Sequence, residues 1–171
     1  MLKLDLLKRD PAMNRLIACA AALAFATFGT SAAAQCATPD GVNALATEIA
    51  AGLNSSRRAN GLNQLSFDRK LSIAAQGHAC DMTQNDFFSH VGSNGSDVKA
   101  RTRAAGHDDC FVGENIAWGF PRASQIVDGW MNSPGHRQNM LLQGVTKFGI
   151  GITKGAGSKG PNWVLLVARD C

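Results

Sequence analysis

The chain has 171 residues, 45% of them apolar, and carries 17 Lys and Arg against 13 Asp and Glu. That length suits one domain once a processed segment is removed. The basic side chains form no long run and no aromatic-interleaved repeat, so nucleic acid is not an indicated partner.

Residues 1–34 read as a leader. Met13-Asn14-Arg15 is a polar start with one positive charge, and it marks an alternative initiation site. Leu16 to Phe28 is apolar apart from Thr27, and Ala32-Ala33-Ala34 places small residues before an expected cut at Gln35. An apolar run of about a dozen residues falls short of the ~20 that span a bilayer. Leu16 to Cys19 imitates a lipidation box, but it opens the apolar run instead of closing it, so no stable membrane anchor is expected. The expected product is a secreted or periplasmic domain over 35–171, monomeric, with 13 basic and 11 acidic side chains and a net charge of +2.

Within that domain, Val42, Leu45, Ala46, Ile49 and Leu53 recur at helical spacing until Asn60-Gly61. Asp68 reads as the N-cap of a second helix whose apolar stripe is Leu71, Ala74, Ala75, His78 and Met82; His78 on that stripe is expected to be a packed core histidine. Asn94-Gly95 marks a turn and Asp97 caps a short helix over Val98 to Ala105, stopped by Gly106. Asn54 and Asn94 each begin an Asn-x-Ser sequon. Cys110 to Gly119 is strand-like. Ser124 is expected to cap a helix through Ile126, Val127, Trp130 and Met131. Ser133 is expected to cap the next, with Pro134 at its first position, where the missing N–H costs nothing. Phe148, Ile150 and Ile152 alternate as a half-buried strand, and the apolar run Trp163 to Ala168 reads as a central one. Helices first and strands last predict an α+β fold.

Four cysteines follow the expected cut: Cys36, Cys80, Cys110 and Cys171. An even number in an exported chain predicts two disulfides. Of the three pairings, Cys36–Cys171 with Cys80–Cys110 is favoured, one closing the chain ends and the other its interior. No Cys-x-x-Cys spacing points to a metal.

His90, Glu114 and His136 have the chemistry of a site, each in a segment punctuated by Gly, Ser or Asn. Spacing alone does not bring them together. "FFSH", "GENIAWG", "IVDGWMNSPGHRQNML" and "KFGIGI", in that order, resemble the CAP family of cysteine-rich secretory proteins, antigen 5 and pathogenesis-related proteins, most closely its bacterial SCP-like branch. The resemblance implies an α-β-α sandwich, with an antiparallel sheet between helical layers, and a shallow cleft where His90, Glu114 and His136 meet. Eukaryotic members carry a second acid three positions after the tryptophan corresponding to Trp130; here that position is Ser133, and the nearest acid is Asp128.

Two histidines and a carboxylate with no fourth protein ligand make an open site for Zn²⁺ or another divalent cation. A histidine in the first turn of a helix is disfavoured as imidazolium, and the neutral ring is the metal-binding form. The competing reading has Glu114 hydrogen-bonding both rings as a structural tie. Asn139 is expected to be a structural hydrogen-bonder beside the cleft. Three functions follow: a secreted protein that binds a divalent metal and a lipid or peptide without turnover; a metal-dependent hydrolase using the same cleft; and a disulfide-stapled interaction module. With no Gly-x-Ser-x-Gly, His-Glu-x-x-His or free thiol, the non-enzymatic reading is preferred and no catalytic residue is assigned.

Overall fold

The computed structural model describes residues 36–155 and 159–171. The expected leader lies outside the described residues. Among the described residues, five helices, α1 (Val42–Ala59), α2 (Arg69–Gln84), α3 (Val98–Ala104), α4 (Ala123–Asn132) and α5 (Pro134–Met140), are combined with strands β1 (Ser66–Phe67), β2 (Asp109–Trp118), β3 (Lys147–Thr153) and β4 (Asn162–Asp170). The sheet order is β1-β3-β4-β2. The three long strands are antiparallel, as expected, and β1 adds a two-residue parallel edge.

The strand β4 is central and buried on both faces, which is why its sequence is apolar without alternation. Trp163, Leu165 and Val167 face α1, α4 and α5, while Val164, Leu166 and Ala168 face α2. The result is the α-β-α sandwich. On β3 the alternation is sharper. Phe148, Ile150 and Ile152 enter the first core. The intervening Gly149 and Gly151 lie against the backbone of α2 at Leu71-Ser72 and Ala75-Gln76, where any Cβ would collide. From Phe148 to Ile152 the "KFGIGI" stretch is therefore one apolar face plus one face with no side chains, so that a helix can lie directly on the strand.

Local capping follows the sequence at two helices. Asp68 accepts from Leu71 N at 2.9 Å and Asp97 from Ala100 N at 2.7 Å. Elsewhere it departs. Helix α4 begins at Ala123 with Arg122 at the N-cap, so Ser124 lies inside the first turn and caps nothing. Ser133 does occupy the N-cap position of α5, but its hydroxyl makes no cap hydrogen bond.

The disulfides are Cys36–Cys80 and Cys110–Cys171, which corrects the expected pairing. The cause is register. Asp109 pairs with Asp170 across β2 and β4, so Cys110 and Cys171 meet at the end of that ladder. At the other end of the domain, Lys154 N donates to Ala37 O, which seats Cys36 beside α2 and Cys80. Joining the chain ends is the simple choice in one dimension; strand pairing decides it in three.

Candidate functional site

The site sits along the outer edge of β2, at Glu114 and Asn115. Successive strand residues face opposite sides of a sheet, so these two neighbours reach different layers. Glu114 turns to the α2/α3 side, and Asn115 turns to α5, where its Nδ2 donates to His136 O at 3.0 Å. Asn139 ties the two directions together, donating from Nδ2 to Glu114 O at 3.0 Å and to Asn115 Oδ1 at 2.9 Å. Gly113 leaves room for it, since a Cβ there would stand 2.9 Å from Asn139 Oδ1. Asn139 is thus the structural hydrogen-bonder the sequence suggested.

The Glu114 side chain is 3% exposed, and both its oxygens are engaged. Oε1 accepts from His90 Nδ1 at 2.8 Å and lies 3.9 Å from His78 Nε2. Oε2 accepts from Arg101 Nη2 at 2.7 Å. Arg101 also donates from Nη1 to His90 O at 3.1 Å and to Ser96 O at 2.8 Å. One guanidinium therefore holds both the backbone of His90 and the carboxylate that holds its ring. His78 is fully buried, as expected of its stripe position, and its Nε2 donates to Ser89 O at 2.8 Å. That bond fixes the backbone one residue before His90.

His136 lies in the first turn of α5, and its Nδ1 is 2.8 Å from Ser133 Oγ. Here the hydroxyl that sequence reading assigned to capping bonds the ring instead. Helix α5 is anchored at its other end by Arg57, which is buried and donates from Nη1 to Met140 O at 3.0 Å and Leu142 O at 2.9 Å. A cation at those last carbonyls also suits the negative end of the helix.

The two site histidines titrate in opposite directions. The hydrogen bond to Glu114 raises His90 above the ordinary 6.5, with burial opposing it. Burial, and then the charge of His90, lowers His136. Burial likewise lowers His78, the Glu114 charge opposing it. The structure brings His90 and Glu114 into direct contact and sets His136 within electrostatic reach of His90. Asp128 is exposed on α4 and makes no hydrogen bond or ion pair with these groups among the described residues. Also among the described residues, no group of three or more His, Cys, Asp or Glu side chains is disposed to hold a metal ion. His90 and His136 nonetheless each keep one ring nitrogen, Nε2, that makes no hydrogen bond among the described residues. Sequence reading missed Arg101, Arg57 and the second duty of His78, because nothing local marks a guanidinium that closes a contact from another element.

A family model for the cysteine-rich secretory protein (CAP) family matches residues 4–167. An uncharacterized protein of Bacillus subtilis, YkwD, is 32% identical over 116 residues, covering 68% of this chain and 45% of that protein. An uncharacterized membrane protein of the same organism, YlbC, is 36% identical over 95 residues, covering 56% of this chain and 28% of that protein. The chain thus spans less than half the length of these relatives. Among solved structures, an extracellular SCP-domain protein of Bacillus anthracis superposes with a TM-score of 0.67 at 29% identity, covering 78% of this chain and 44% of that one. An outer surface protein of Borrelia burgdorferi gives 0.69 at 20% identity, covering 75% and 94%, a likeness of fold.

Proposed function

Because the chain belongs to the CAP family, we propose that it is an exported protein that binds a divalent metal such as Zn²⁺ in the β2-edge cleft, through His90 and His136, without turnover. The observation that carries this reading is the state of the two rings. Each has Nδ1 taken by a protein partner, Glu114 or Ser133, and Nε2 left over. Orientation of a ligating imidazole through its other nitrogen is the usual support for a metal-binding histidine. In this reading Glu114 orients His90 and is not itself a ligand, because Arg101 and His90 already occupy its oxygens. The burial that disfavours charge on His136 keeps that ring in its ligating form. A bound cation would supply Lewis acidity and open positions for water or for an oxygen of a lipid or peptide. Two disulfides support export.

The hydrolase reading has one observation on its side, the 2.8 Å approach of Ser133 Oγ to His136 Nδ1. A general base must become imidazolium as it takes the proton. Burial and the charge of His90 both oppose that, and no carboxylate among the described residues accepts from His136. Binding is therefore the better use of this ring.

The test is calorimetric Zn²⁺ titration of the wild type, His90→Ala, His136→Ala and Ser133→Ala. Either histidine variant should abolish binding, and loss of the orienting hydroxyl should cost about 10–100-fold in affinity. Equal binding in both histidine variants, or none in the wild type, would falsify the proposal.

A further inference from the structure

A second feature lies further along β2, on the same face as Glu114. Phe88 and Trp118 stand 6.2 Å apart between ring centroids, tilted by 52°. They are 46% and 49% exposed, whereas Trp130 and Trp163 are 2% and 0% exposed. Two adjoining aromatic rings half in water mark a surface that something covers. They wall a small cavity of about 110 Å³, whose remaining rim includes Thr83, Asp86, Lys159 and Asn162.

The walls are fixed by local structure. Helix α2 ends at Gln84 with Asn85 as its C-cap, Asp86 follows in the left-handed region at φ 53°, and Phe87 N donates back to Met82 O at 3.2 Å. This is a common helix stop, and Asp tolerates the conformation. It sets the Asp86 carboxylate at one rim and sends the chain on to Phe88. Across the cavity, Asn162 opens β4 and donates from Nδ2 to Thr83 Oγ1 at 2.8 Å. Lys159 Nζ pairs with Asp86 Oδ1, and both side chains are more than half exposed.

The chemistry narrows the occupant. An alkyl chain would use the rings and leave the rim unmatched. An ion would gain little from a carboxylate and an ammonium that already neutralise each other. A neutral ring with an apolar face and a hydroxylated edge matches both surfaces. Its C–H face would lie on the aromatic walls. Its hydroxyls would donate to the second oxygen of Asp86 and accept from the remaining N–H bonds of Lys159. At about 110 Å³ the cavity is too small for more than one such ring. We propose that Phe88 and Trp118, with Asp86 and Lys159, form a subsite for one neutral pyranose ring of a glycan. It stands on residues other than the histidine pair and needs no metal.

The probes are cellotetraose and chitotetraose, both neutral, with dodecanoate and trileucine as alkyl and peptide controls, all added to full-length protein in EDTA. Calorimetry should show saturable binding of at least one sugar. Tryptophan emission should shift to the blue on saturation, since the other two tryptophans are already buried. Trp118→Ala should abolish binding, and Trp118→Phe, which keeps a ring, should retain it. Asp86→Ala should weaken binding about tenfold, the loss of a hydrogen bond to a charged group. The proposal is overturned if neither sugar binds saturably, if only dodecanoate or trileucine does, or if sugar binding survives in Trp118→Ala. Because EDTA is present throughout, failure of the metal reading leaves this outcome untouched.

Discussion

Strand β2 and the part of β3 beyond β1 both lie at an edge of the sheet, face the same problem and meet it with opposite means. An edge strand presents N–H and C=O groups that need partners. Along β3, helix α2 comes down onto the strand. Ser72 Oγ accepts from Ile150 N at 2.9 Å, while Gln76 Oε1 accepts from Ile152 N at 2.9 Å and its Nε2 donates to Ile152 O at 3.1 Å. Along β2 the helices stand back, and long side chains bridge the gap. Asn139 Nδ2 reaches Glu114 O at 3.0 Å and Trp130 Nε1 reaches Ile116 O at 3.4 Å. One edge is closed by backbone proximity through two glycines. The other is closed at a distance, by side chains reaching in from α4 and α5. The choice of residue at alternate strand positions decides which of the two means each edge uses.

The strongest way to break this contrast is to give the closed edge a side chain. Gly149→Val would drive branched carbon into Leu71 and Ser72 of α2, and Gly151→Val into Ala75 and Gln76. Neither backbone can yield without parting helix from sheet. We expect a loss of about 3 kcal/mol or more, in the upper range for overpacking, read as a fall in the urea midpoint. The control is Gly135→Ala, at the start of α5, where an added Cβ meets nothing within 4 Å; it should leave the midpoint nearly unchanged. Similar losses in all three would mean that the approach of α2 is not what those glycines serve.

The β2 edge should fail differently. Arg101→Ala removes the partner of a carboxylate whose side chain is 3% exposed, although Arg101 itself is 11% exposed. Stranding a buried charge costs about 3–5 kcal/mol in dry interiors; partial access to water here suggests ~2–3 kcal/mol. The specific signature is at His90. With the guanidinium gone, both its backbone carbonyl and its ring partner lose a tether. Zn²⁺ affinity, measured by the same titration, should fall by about 10–100-fold at temperatures where the variant is still folded. A stability loss with unaltered affinity would make Arg101 a structural cation only.

What the sequence made legible divides along the same line. Asp68 and Asp97 were readable as caps because a cap is settled within three residues. The central position of β4 was readable because burial on both faces leaves a continuous apolar run. The disulfide pairing was not, since Cys110 finds Cys171 only through the β2/β4 register. Ser133 was read half correctly: its position at the helix start is local, but its hydroxyl chooses between a backbone N–H and an imidazole three residues on, and the ring has it. His90, Glu114 and His136 are legible one by one from their chemistry and as a group only through the family resemblance, whereas Arg101 leaves no mark in either. Its three acceptors, on His90, Ser96 and Glu114, belong to segments that only the folded chain brings together.

The smallest expected effect sharpens the comparison within the β2 edge itself, between the two site histidines. His90 is raised above 6.5 chiefly by its hydrogen bond to Glu114, so folding favours its protonated form. That contribution is fully present below 6.5 and is lost as pH rises through the folded value. His136 and His78 are lowered, chiefly by burial. For them the unfolded chain binds more protons in the window below 6.5, so stability falls as pH drops through that window. The two slopes oppose each other on either side of 6.5, and metal-free protein should be most stable close to that pH. Proton NMR of the imidazole C–H resonances should place the His90 midpoint above 6.5 and the His136 midpoint below it. Glu114→Gln should bring the His90 midpoint down. It should also move His136 slightly upward, because less charge on His90 at a given pH opposes charge on His136 less. If the two wild-type midpoints coincide, the carboxylate does not distinguish the rings, and the site has two equivalent histidines instead of one held by a carboxylate and one by a hydroxyl.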